Sequence, residues 1–149
     1  MSRVQLALNV ADLDESIAFY TKLFQTPPAK VRDGYANFAI ADPPLKLILF
    51  AGAGEPGSLN HIGVEVDSVE DVAAAIQRAT VDGFEQEVQE NVSCCFAVQD
   101  KTWVHGPDNA WEFYTVLADA PAMACDVGSN EGWVSDPGTI ATTAAGSCH

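Results

Sequence analysis

One pattern occurs twice in this chain. Gln5-Leu6-Ala7-Leu8-Asn9-Val10 alternates polar or small residues with branched apolar ones, then runs into Asp12 and a helical pattern. His61-Ile62-Gly63-Val64-Glu65-Val66 does the same, then runs into Ser68 and a second helical pattern. Gln5 and His61 stand at equivalent points, 56 residues apart. A unit of that length cannot bury its own apolar face, so the two copies must pair. Pairing carries Gln5 and His61 toward a shared centre, where a metal ion could sit.

The rest of each copy follows the same plan. Leu6, Leu8 and Val10 form the apolar side of a half-buried strand, with Gln5, Ala7 and Asn9 opposite. Asp12 and Glu15 make a capping-box-like start for a helix carrying Leu13, Ile17, Tyr20, Leu23 and Phe24, which Pro27-Pro28 ends. Three strands then follow, around 29–32, 35–41 and 45–50, separated by Asp33-Gly34 and Asp42-Pro43-Pro44. Residues 52–57, rich in glycine, connect the copies. In the second copy Ser68 and Asp71 start a helix with the stripe Val69, Val72, Ala73, Ile76 and Ala79, stopped by Gly83. Strands near 85–91, 95–103 and 111–117 complete it, the last preceded by the turn at 106–109. One domain is expected over 1–118, with modules of about 1–52 and 57–118. Residues 119–149 contain no Lys or Arg and no periodicity, and read as a flexible C-terminal tail.

Composition narrows the class of partner. Twenty-one acidic against 7 basic residues give a net charge of −14, which argues against nucleic acid and anionic membranes. No run approaches the roughly 20 apolar residues that span a bilayer, and the N-terminus lacks the pattern of a signal peptide. A cytoplasmic location is the expectation, and with it four cysteines present as thiols. Cys94 and Cys95 are adjacent, and a disulfide between them would be strained.

Glu112 is the third candidate metal ligand. It lies in Trp111-Glu112-Phe113-Tyr114, where alternation puts it on one face with Tyr114. A metal would offset the desolvation of a carboxylate placed among aromatics. Gln5, His61 and Glu112 offer an amide oxygen, an imidazole nitrogen and a carboxylate. That set is a variant of the facial triad of non-haem Fe(II) enzymes, with open positions for water, substrate or dioxygen. Taken singly, each residue also reads as ordinary: a wet strand Gln or Glu, a hydrogen-bonded structural His. His105, beside the turn, reads as a surface residue.

Cys94-Cys95 is a ligand set for a soft, thiophilic centre such as trivalent arsenic or Cd(II). The acidic stretch before it should raise the thiol pKa values. The tail holds Cys125, Cys148 and His149, which could capture such ions or be incidental.

The duplicated strand–helix–three-strand plan, with ligands on first and last strands, resembles the vicinal oxygen chelate superfamily. That superfamily includes glyoxalase I, extradiol dioxygenases and bleomycin- and fosfomycin-resistance proteins. The resemblance implies an α+β fold: two βαβββ modules forming a cupped, eight-stranded mixed sheet with helices outside. Its fourth ligand position falls within 45–50, where only Lys46 is polar, so this chain looks like a three-ligand member. The runs Val4–Val10, Gly34–Leu47, Asn60–Val66, Cys94–Val104 and Trp111–Ala120 are similar to the carbon–arsenic lyases and cadmium-induced proteins. This implies Fe(II) on Gln5, His61 and Glu112, dioxygen as co-substrate, and a trivalent organoarsenical held by Cys94 and Cys95.

Three functional readings stand at this point. An enzyme would cleave the carbon–arsenic bond and release arsenite, with Tyr35, Phe38, Phe96, Trp103 and Tyr114 as candidates to line an apolar pocket for methyl or aryl groups. A binding protein would sequester cadmium or arsenic on the same thiols. A third chemistry on this fold, such as glyoxalase-type isomerisation, would not need adjacent thiols. The two modules could assemble within one chain or between two, which leaves a homodimer open.

Overall fold

The computed structural model describes residues 1–120. The first module runs β1 (Arg3–Val10), α1 (Leu13–Phe24), β2 (Lys30–Arg32), β3 (Tyr35–Ile40) and β4 (Leu45–Ala51). The second runs β5 (Leu59–Glu65), α2 (Val69–Asp82), β6 (Gln86–Cys94), β7 (Ala97–His105) and β8 (Ala110–Asp119). The readings of Cys125, Cys148, His149 and, past Ala120, of a flexible tail lie outside the described residues.

Local chemistry sets the helix ends. The Asp12 carboxylate accepts the Glu15 backbone N–H at 2.9 Å, and the Ser68 hydroxyl accepts that of Asp71 at 3.2 Å. Gly83 closes α2 in a left-handed conformation, as the sequence predicts. α1 stops earlier than the prolines require, at Gln25, which itself takes the left-handed conformation and returns its N–H to Thr21. On α2 the buried residues are Val72, Ala75 and Ala79, while Val69 and Ala73 face outward. The stripe therefore follows 72, 75, 79, a spacing of three and four, rather than the wider arc expected from all the apolar positions.

All eight strands form one mixed, curled sheet in the order β2-β3-β4-β1-β5-β8-β7-β6. β1 and β5 lie antiparallel at its centre and join the modules within one chain. Each then pairs in parallel with the last strand of its own module, β1 with β4 and β5 with β8. The architecture is the cupped two-module sheet that the resemblance implies.

The two faces of the sheet differ in chemistry. In the first module Phe38, Ile40, Leu47 and Leu49 are buried toward α1, packed against Leu6, Leu8, Val10, Ile17, Tyr20 and Phe24. This burial is the main stabilisation of the module. The opposite face carries buried polar groups: Gln5, Asn9, Asn37, His61, Gln99, Lys101 and Glu112. Burying polar groups on that scale is costly unless they pair or serve a ligand.

Candidate metal centre and thiol hairpin

Strand register builds the centre. Gln5 pairs with Gly63 across β1 and β5, and Gly63 pairs with Glu112 across β5 and β8. His61 lies one pleat along β5, opposite Ala7. All three candidate ligands are buried, at 2%, 7% and 3% exposed for Gln5, His61 and Glu112. They converge on one oxygen. Gln5 Nε2 donates to Glu112 Oε2 at 2.8 Å, and His61 Nε2 lies 3.5 Å from that same oxygen.

Gly63 makes this approach possible. A β-carbon there would fall 2.4 Å from the Glu112 carbonyl oxygen and 2.9 Å from the Glu112 Cβ. Only hydrogen fits in that gap, so the closeness of β5 and β8 at the centre depends on this glycine.

Neighbouring amides fix the imidazole. Asn60 Nδ2 donates to Asn9 Oδ1 at 3.0 Å, which leaves Asn60 Oδ1 as the acceptor facing His61 Nδ1 at 2.7 Å. His61 Nδ1 therefore donates to Asn60, and this hydrogen bond turns Nε2 toward Glu112, the nitrogen that an imidazole so held would offer to a metal. The sequence signal for Asn60 was slight, since an Asn beside a His is common.

Lys101 was not anticipated as part of the site. It is 2% exposed, and its ammonium donates to Glu112 Oε1 at 2.6 Å. A lysine in an Asp-Lys-Thr run reads as solvated. Only alternation along β7, which sets it on one face with Gln99 and Trp103, could have placed it inside.

The donor set fits a divalent cation. Ligands about 2.1 Å from one ion and at right angles stand about 3 Å apart, close to the separations found. A half-turn of the Gln5 amide would present its oxygen where its nitrogen now donates. Lys101 occupies the outer carboxylate oxygen and leaves Oε2 for the cation. Among the described residues no three His, Cys, Asp or Glu side chains cluster as a metal site; the third donor here is an amide.

The corner that would supply a fourth ligand is apolar. β4 meets Ala7 at Ile48, just as β8 meets Gly63 at Glu112. Lys46, the polar residue of that segment, points instead to Glu65 at 3.6 Å. Glu65 also receives Arg3 through two contacts of 3.2 Å and the Tyr114 hydroxyl at 3.2 Å. Burial opposes ionisation of Glu65, but Arg3, together with Lys46, holds its carboxyl below the usual range.

The cysteines straddle a strand end and the turn that follows it. Cys94 ends β6 opposite Ala97 at the start of β7, and Cys95-Phe96 are the two residues between. Both hold positive φ, 52° and 62°. A two-residue hairpin of this twist ordinarily takes Asn or Gly there. Each L-residue costs about 1–2 kcal/mol in that conformation. Two contacts to the first module offset it, Phe96 packing on Tyr35 with ring centroids 5.0 Å apart and the Phe96 carbonyl accepting from Lys30 at 3.1 Å, and so does the Ala120 N–H, just past β8, which donates to that carbonyl at 3.0 Å.

The two sulfurs lie 3.3 Å apart. Cys95 is a buried thiol, and burial, reinforced by the charge of Glu112, pushes its pKa up to about 12. Cys94 is disulfide-bonded, and not to Cys95. This corrects the expectation of four thiols: composition and compartment say nothing of which sulfurs the fold brings together.

A cavity of about 230 Å³ joins these parts. Gln5, His61, Glu112 and Cys95 line it, together with Asn37 and Gln99. Of the residues expected to line an apolar pocket, Tyr35 and Tyr114 do so. Phe96 stacks on Tyr35 at the hairpin, and Trp103 stands edge-on to His61 at 5.8 Å. Phe38 lies on the other face, in the core under α1. The lining is more polar than its aromatic content suggests, because Lys30, Lys46, Glu65 and Asp119 also reach it. His105 is exposed.

Comparison with known proteins identifies the family and the fold. Residues 3–115 match the profile of the Glyoxalase/Bleomycin resistance protein/Dioxygenase superfamily. Two relatives are similar over most of their length. The cadmium-induced protein CadI of Mycobacterium tuberculosis is 51% identical over 98% of this chain and 100% of its own. A trivalent organoarsenical cleaving enzyme of Thermomonospora curvata is 56% identical over 83% of each. Among solved structures, the Mn(II)-bound glyoxalase from Novosphingobium aromaticivorans shares the fold at a TM-score of 0.56 and 20% identity, over 80% of this chain and 42% of that one. An extradiol ring-cleaving dioxygenase from B. fuscum does so at 0.57 and 20%, over 79% and 33%. No helix among the described residues is long and apolar enough to cross a membrane. With the profile spanning nearly all the described residues and close relatives covering the rest, the chain belongs to the glyoxalase/bleomycin resistance/dioxygenase superfamily, on the vicinal oxygen chelate fold.

Proposed function

We propose that this protein captures trivalent organoarsenicals, such as methylarsenite and aryl arsenites, on Cys94 and Cys95 and cleaves their carbon–arsenic bond, using Fe(II) and dioxygen, to release arsenite. The observation that carries the reading is one cavity lined by Gln5, His61, Glu112 and Cys95. The relatives named as organoarsenical cleaving enzymes support it.

Capture replaces two As–OH bonds by two As–S bonds. Each thiol proton leaves with a hydroxyl as water, so the step requires no free thiolate. That suits Cys95, whose burial keeps it protonated at neutral pH. It requires Cys94 as a thiol, which fits a reducing compartment such as the cytoplasm. Tying arsenic to the hairpin fixes where its organic group can point and makes the later step effectively intramolecular. Gln5, His61 and Glu112 would hold Fe(II), which would supply dioxygen activation. Asn60 keeps His61 Nε2 facing the centre, and Lys101 holds the Glu112 carboxylate in place. Tyr35 and Phe96, packed on one another at the hairpin, limit water there.

The test loads reduced protein with Fe(II) without air, adds methylarsenite or phenylarsenite, admits air and measures arsenite. Release is expected only with Fe(II), dioxygen and both thiols. Cys94→Ser should lose capture and keep iron; Glu112→Ala should do the reverse. Full activity in Cys94→Ser would overturn the anchoring role. The relative named for cadmium induction favours a second reading, thiol-based sequestration of Cd(II) or As(III). Stoichiometric binding without product in the same assay would establish it.

A further inference from the structure

We propose that Asn37 and Gln99 form an acceptor subsite that selects aryl arsenicals whose ring carries a hydrogen-bond donor. The inference rests on the reading above, and names which organic group the site prefers.

Asn37 and Gln99 are 5% and 6% exposed. Asn37 Oδ1 and Gln99 Oε1 have no hydrogen-bond partner among the described residues. Their nitrogens are engaged, Asn37 Nδ2 with the Tyr35 hydroxyl at 2.8 Å and Gln99 Nε2 with the Cys94 carbonyl at 3.5 Å. Each amide therefore offers only its acceptor end. Leaving such an oxygen buried and unpaired costs stability, and such groups are rare without a reason.

Both residues line the cavity that holds Cys95 and the metal-ligand candidates. They approach from different modules. Asn37 sits beside Ile48 on β4, next to the centre, and its Tyr35 partner packs on Phe96 of the hairpin. Gln99 touches the hairpin backbone itself. An arsenical anchored on the hairpin lies between them. The cations that line the cavity are committed elsewhere: Lys30 to the Phe96 carbonyl and Asp119, Lys46 to Glu65. The missing partner is then a donor on the ligand. A methyl group has none, whereas an amino or hydroxyl group on an aromatic ring does.

The probes are phenylarsenite and 4-aminophenylarsenite, bound to reduced, iron-free protein and followed by quenching of tryptophan fluorescence. Wild-type protein is expected to bind the amino compound about three- to tenfold more tightly. Asn37→Leu and Gln99→Leu should reduce that ratio toward unity with phenylarsenite affinity kept, which also reports a folded site. Asn37→Asp, which keeps an acceptor, should restore the preference. Equal affinities in the wild type would overturn the subsite, its oxygens then being satisfied by water, and leave the arsenical reading intact. A preference that survives both leucine variants would overturn it too, by placing the donor elsewhere. If neither probe binds, the arsenical reading falls and the subsite with it.

Discussion

Ile48 stands on β4 where Glu112 stands on β8, each paired with the residue two places past its own module's candidate ligand, Ala7 after Gln5 and Gly63 after His61. The duplicated fold thus has four corners, and three bear candidate ligand atoms. Ile48→Glu should fill the fourth. Fe(II) retention against a chelator is expected to rise by about tenfold or more. Turnover should fall, because an open position is lost. Unchanged retention would mean that this corner does not face the metal.

Lys101 pairs with a buried carboxylate, that of Glu112. Lys101→Met keeps the volume and removes the charge. Metal-free protein should lose about 3–5 kcal/mol of stability, since Glu112 is left charged and half paired. A divalent cation supplies the missing charge, so the gain in Tm on adding Fe(II) or Mn(II) should be larger in the variant than in the wild type. Thermal unfolding with and without metal checks both statements.

Gly63 is the spacer between β5 and β8. Gly63→Ala should cost about 2–3 kcal/mol by overpacking. Displacing Glu112 should weaken metal binding about 10- to 100-fold. Denaturant unfolding and metal titration measure the two effects separately. A variant with normal metal affinity would show that the strands can part without moving the carboxylate.

Cys95 should show its burial in its reactivity. Its thiolate is the alkylated form, and a raised pKa keeps that form scarce as pH rises. Iodoacetamide labelling of Cys95 in Cys94→Ser, read by mass spectrometry, should climb about tenfold per pH unit from 7 to beyond 10. An ordinary thiol would level off near pH 9. Levelling at that point would show a solvated sulfur. Capture of an arsenite, which removes the proton as water, should depend on pH far less.

Much of the fold was legible because it is periodic. Alternation in β1 and β5, helical spacing in α1 and the repeat itself specify strand, helix and pairing. The three metal-ligand candidates were legible for the same reason, since they sit at repeat-equivalent or strand-alternating positions. The turn at Cys95-Phe96 was not, because neither residue is one that turns of positive φ usually take. Phe38 was misread as a pocket residue because an aromatic type does not tell which face of β3 it occupies.

The amino-acid order by itself determined that two half-units must close on one another, and that an amide, an imidazole and a carboxylate belong to the shared surface. Tertiary structure alone decided the partners of those groups. Lys101 on the outer oxygen of Glu112, Asn60 behind His61, Ile48 at the vacant corner and the unpaired oxygens of Asn37 and Gln99 are all set by register between strands distant in the chain. Local sequence specifies which residues alternate and where a helix begins. Which side chains meet across a curled sheet depends on pairings between segments that carry no mark of one another.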